Sequence, residues 1–221
     1  MRRKNDTRAA QVLYCLLFYS LWSVWEFWGK GTVERAIENE WLAQLVKSGL
    51  VKNLVWTLPA LCLAKHFDDA LFFRVRDMFT NPVSVWTWLP AALAFSVYLI
   101  GGAWLMNGRL ALSGSFRGSD LIVVLFVGVT EETVFRGWLL NASVRESKKW
   151  PPVLLNALLF LLIHFPAWIA GGSFAVNFSS LGFVCLLALS LVFSWSFLKS
   201  KSLWVPIALH MYWDLLCFLL Y

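Results

Sequence analysis

Six ionisable residues interrupt stretches that are otherwise apolar enough to lie in a membrane: Glu131, Glu132 and Arg136 in TEETVFRGWLLN (residues 130–141), His164 in FLLIHFP, and His210 and Asp214 in HMYWD. A charged side chain at a bilayer centre costs about 2.5 to 3.5 kcal/mol on insertion scales, so each needs a partner or a task. Glu132 and Arg136 are four apart with the acid first, the order in which a helical pair meets on one face. Glu131 lies about 100° further round the axis and has no cation three or four residues ahead. One carboxylate is thus structural and the other available. Phe160 and His164 share a face, as do His210 and Asp214, so Phe160 can pack on the His164 ring and Asp214 can hydrogen-bond or orient His210. An unpaired acid beside a histidine can hold and deprotonate water, and a second histidine can stabilise the oxyanion formed at a carbonyl. That chemistry is hydrolysis without a serine or cysteine nucleophile. No GxSxG or HExxH occurs, and none of the four cysteines stands at a useful spacing from a histidine.

The elements that must position these residues are membrane helices. Of 221 residues, 59% are hydrophobic and 14% charged, with 14 Trp and 18 Phe, and the mean hydropathy is +0.65, outside the range of a soluble domain. The net charge of +6 resides mostly in loops beside apolar segments and carries no nucleic-acid footprint. Apolar runs predict spans over residues 9–28, 41–64, 83–106, 121–141, 151–170, 174–198 and 203–221. Of these, 41–64 is the least defined, with Lys47 and Lys52 expected to snorkel to a boundary. Residues 30–52 and the KHFDDALFFRVRDMFTN stretch have interfacial, amphipathic character. The first apolar run is longer than a signal-peptide core and no small-residue cleavage site follows it, so it is expected to be retained.

The expected fold is therefore an all-α polytopic transmembrane bundle of about seven spans, a single domain over residues 1–221. Seven spans with the N-terminus inside place most Lys and Arg in cytoplasmic segments, as the positive-inside rule prefers. That describes a multi-pass protein of the cell (inner) membrane. Counting helix rise puts Glu131, His164 and Asp214 near one depth, with His210 a turn closer to the cytoplasm.

EETVFR fits an EExxxR motif, FLLIH an FxxxH motif and HMYWD an HxxxN-or-Asp motif, in that order and each on an expected membrane helix. Together they resemble the CPBP family of intramembrane proteases, which includes type II CAAX prenyl endopeptidases and bacteriocin-processing and immunity proteins. The resemblance covers residues 120 to 217. It implies Glu131 as general base, His164 as its partner in activating water, and His210 and Asp214 at the oxyanion site, with Glu132, Arg136 and Phe160 supporting. Many relatives carry Asn where this chain has Asp214. An ionised Asp cannot donate a hydrogen bond, so an orienting role toward His210 is the expectation here. The implied partners are a membrane-associated protein or peptide substrate and the lipid bilayer, with no nucleic acid. No cofactor is expected, although two His and two carboxylates could also ligate zinc. A transporter or a non-catalytic immunity protein of the same fold are the rival classes.

Overall fold

The computed structural model describes residues 2–221, with side chains from residue 6 onward. Met1 and the side chains of residues 2–5, part of the basic stretch in the charge argument, lie outside the described residues. All the apolar runs form helices, and no strand is present among the described residues. Helix α1 covers residues 2–36 and α2 residues 40–66, both including wide π-type turns. A short α3 (Val75–Thr80) precedes α4 (Val85–Asn107). Helix α5 covers residues 120–143, α6 is Trp150–Ala170, α7 Phe174–Ser179, α8 Gly182–Ser200 and α9 Trp204–Leu220.

Helices α4, α6 and α8 are long and apolar enough to cross a membrane, and α9 is apolar but shorter. This is fewer than the seven or so spans expected. Helices α1 and α2 carry charged residues such as Lys30, Glu34, Lys47 and Lys52, and α5 contains the acid pair. The doubtful segment 41–64 is helical throughout. The run 174–198, expected as one span, is instead divided. Leu181 adopts a left-handed conformation (φ 61°), Ser179 Oγ hydrogen-bonds to the Val176 carbonyl, and α8 restarts at Gly182. Hydroxyl side chains that bond locally to backbone favour such ends over helix interiors.

The exterior is apolar. Val12, Leu16, Trp86, Val97, Leu105 and Leu158 are exposed, whereas Glu132, Arg136, Asn141, Asn156, Ser190 and Ser194 are buried. Scattered exposed apolar residues are ordinary, but buried charge beneath an apolar surface suits lipid as solvent, where packing and interhelical hydrogen bonds hold helices together.

Connections gather at two ends of the bundle. At one, Phe72 N–H donates to the Asn141 carbonyl, Leu203 N–H to Met78, and Trp204 Nε1–H to Phe79. Arg74, Arg76, Arg145, Lys148, Lys149 and Lys201 lie in or beside these connections. At the other, Arg117 pairs with Glu40 at 2.7 Å and Ser113 N–H donates to the Leu219 carbonyl.

Candidate active site

Helices α5 and α9, which carry most of the candidate residues, pack directly on each other. Gly128 permits this approach: a Cβ there would lie 2.7 Å from Met211 Cγ and 3.0 Å from the Ile207 carbonyl oxygen. Just past the two glutamates, α5 widens into a π-type turn over Thr133–Leu140, a feature frequent at functional sites. Neighbouring side chains take up carbonyls of this turn. Asn156 Nδ2 donates to Phe135 O at 2.8 Å and Gln11 Nε2 to Leu139 O at 2.8 Å.

The expected Glu132–Arg136 pair forms, Nη1 to Oε1 at 2.9 Å, with both side chains fully buried. Arg136 Nη2 also donates to the Ser190 carbonyl (3.0 Å) and hydroxyl (2.8 Å) on α8. Its guanidinium lies 4.7 Å from the Phe160 ring centre and 5.4 Å from that of Phe193.

Glu132 has a second task that local spacing did not reveal. Its Oε1 accepts from His210 Nδ1 at 2.7 Å. The hydrogen bond that Asp214 was expected to accept from His210 is not formed, since the approach of its Oδ2 to Nε2 is 3.6 Å. A helix turn brings Asp214 beside His210, but Glu132 reaches the ring from the facing helix and claims Nδ1. The His210 ring is further fixed by stacking on Phe193, centroids 4.8 Å apart and planes 17° from parallel. Because a carboxylate accepts, Nδ1 carries hydrogen, and Nε2 is left directed toward Asp214 and toward Glu131, 4.0 Å away.

His164 stands just after the break in α6 at Ile163. Pro166 explains the break, because it has no N–H to offer the Leu162 carbonyl and its ring crowds that oxygen. Trp22 Nε1–H caps the Ile163 carbonyl at 2.8 Å. Phe160 packs edge-on to His164 as expected (5.3 Å) and also meets His210 (5.9 Å). His164 Nδ1 lies 2.9 Å from the Phe160 carbonyl, which can only accept, so in the neutral ring Nε2 keeps a lone pair for a proton.

Glu131, His164 and Asp214, expected at one depth, open onto one cavity of about 640 Å³. Glu131 is 7% exposed and makes no hydrogen bond among the described residues. No three of the described His, Cys, Asp and Glu residues are grouped as metal ligands. Sequence reasoning missed Lys52 and Trp22 on the cavity wall and Ser190 and Phe193 beneath it. Ser190, Phe193, Ser194 and Phe197 recur at helical spacing on α8 and are buried, a polar-aromatic stripe that could have marked its inward face.

Carboxylates and imidazoles around a cavity inside an apolar-surfaced helical bundle make a membrane-embedded hydrolytic centre chemically sensible. Residues 114–216 match the family model described as type II CAAX prenyl endopeptidase Rce1-like. The match takes in a little under half the chain and contains all three motifs, consistent with the CPBP resemblance. It implies a peptide hydrolase working at a membrane. No curated protein and no solved structure matches the chain.

Proposed function

We propose that the protein is a glutamic intramembrane endopeptidase that hydrolyses a peptide bond in a membrane-associated protein or peptide. The carrying observation is that Glu131, free of any hydrogen bond among the described residues, shares its cavity with His164 and Asp214 beside His210. A water between Glu131 and His164 Nε2 attacks the scissile carbonyl and gives its proton to Glu131. The doubly protonated His210 donates from Nε2 to the oxyanion, with Glu132 holding Nδ1–H. Collapse of the tetrahedral intermediate breaks the C–N bond, the proton passes to the leaving amine, and an acid and an amine result. Asp214 lines the oxyanion side without fixing the ring.

In this reading seven helical passes cross the membrane, and the end bearing Arg74, Arg145 and Lys201 faces the cytoplasm. The clustering of those cations at one end supports that orientation.

Glu131→Gln tests the base. Cleavage should fall by about 10² to 10⁴ while expression and thermal unfolding stay as in the wild type. Peptides released from membranes containing either protein provide the readout. Wild-type cleavage by the variant would remove Glu131 from the mechanism.

A further inference from the structure

Lys52 was expected to snorkel to a membrane boundary, but it does not leave the bundle. The neighbouring Lys47 does find an acid, Glu34, at 2.6 Å. Lys52 instead lines the cavity that holds Glu131, His164 and Asp214. Its ammonium sits over two indoles, 5.1 Å from the ring centre of Trp22 and 5.2 Å from that of Trp56. Those rings are themselves fixed, packed edge-to-face at 4.3 Å, with Trp22 Nε1–H tied to the Ile163 carbonyl next to His164.

The indole faces steady a cation but offer no lone pair to its three N–H donors. Among the described residues Lys52 makes no hydrogen bond and has no carboxylate within ion-pair distance. Glu26, on the same cavity wall, is engaged by Lys30 at 3.5 Å. Were Lys52 simply the counter-ion of Glu131, the two would be in contact, and they are not. A partly buried ammonium held by a rigid aromatic clamp, with its donors unclaimed and facing the cavity, is built to receive an anion that enters with the occupant.

We propose that Lys52 is a substrate-binding residue that anchors a carboxylate of the peptide in the catalytic cavity. The proposal rests on the protease reading of that cavity and adds a selection rule to it: the bound peptide carries an anionic group on the α2 side of the scissile bond. Two sources share this chemistry, a free C-terminus and an acidic side chain.

The test measures binding to the full-length protein in detergent micelles by calorimetry. Three probes are compared: acetyl-Leu-Leu-Phe as the free acid, the same peptide as the carboxamide, and acetyl-Leu-Glu-Phe as the carboxamide. The wild type should bind at least one carboxylate-bearing probe about tenfold or more tighter than the neutral amide. In Lys52→Met that preference should vanish while binding of the neutral amide persists, which also reports an intact fold. Lys52→Arg should retain most of the preference. Preference for the free acid assigns the C-terminus, and preference for the Glu probe assigns a side chain; both support the proposal. Equal binding of all three by the wild type, or no binding of any, overturns it. So does an equal loss for acid and amide in Lys52→Met, the mark of a structural lysine. Because the readout is binding, a protein without peptidase activity can still show the Lys52 effect. A protein that cleaves but ignores the carboxylate keeps its protease function and loses this one.

Discussion

Replacing Arg136 by Met should be among the most damaging single changes in this chain, because it takes from the fully buried Glu132 carboxylate its guanidinium partner and leaves it His210 alone. In the wild type Glu132 Oε1 is shared by Arg136 and His210, and Oε2 already has no partner. The substitution also strips both hydrogen bonds from Ser190 and removes the cation held between Phe160 and Phe193. Breaking a buried pair by deleting one partner costs about 3 to 5 kcal/mol. On the scaling of folded domains near this size, about 2 to 4 °C per kcal/mol, melting should fall by roughly 6 to 20 °C. Arg117 and Glu40 supply the control: they are as close, 2.7 Å, but more than half exposed. Arg117→Met should therefore cost less than about 1 kcal/mol. The double variant Arg136→Met/Glu132→Gln should unfold at a higher temperature than Arg136→Met alone, since the buried carboxylate that Arg136 paired is removed with it. Thermal unfolding in mild detergent, followed by circular dichroism, measures all three. If Arg136→Met melts no lower than Arg117→Met, the buried network is not what holds α5 against α8 and α9.

Three further outcomes are expected. Asp214→Asn should keep turnover within about tenfold of wild type, while Glu132→Gln should lose more than about 10², because Glu132 and not Asp214 holds His210 Nδ1; the reverse order in kcat would return the orienting role to Asp214. Gly128→Ala should wedge α5 from α9, since the Ile207 carbonyl at 3.0 Å is backbone and cannot swing away. The resulting misplacement of Glu131 should cost about tenfold or more in turnover, whereas Gly101→Ala, with nothing within 4 Å of the new methyl, should be harmless to both activity and melting. Cysteines placed at Ser147 and Ser173, in a background lacking the four native ones, should react with an impermeant thiol reagent from opposite membrane faces, and labelling from one face would refute a crossing by α6.

The sequence alone carried whatever depends on neighbours along one helix. Glu132–Arg136 and Phe160–His164 are contacts between residues four apart, and helical geometry makes such pairs meet whatever the rest of the chain does. The apolar runs likewise had to become helices, because lipid offers no partner for unpaired backbone groups, and the three motifs marked which polar residues to watch. His210 and Asp214 show the limit: adjacency on α9 made a bond available, yet the closer acceptor came from another helix.

Only the tertiary structure decided which groups meet across helices. It gave Glu132 to His210, 78 positions apart in sequence, and tied Arg136 to Ser190 through a stripe on α8 whose partner no spacing rule specifies. It turned Lys52 inward between Trp22 and Trp56 rather than out to a boundary. The break at Leu181 and the π-type turn after Glu132 also depended on it. In the π-type turn, carbonyls are taken up by Asn156 and Gln11 from other helices. The physical reason is common to all of these: a buried polar group goes to whichever donor, acceptor or charge lies within about 3 Å once helices have packed. Packing depends on close-approach points such as Gly128, which the linear sequence does not order.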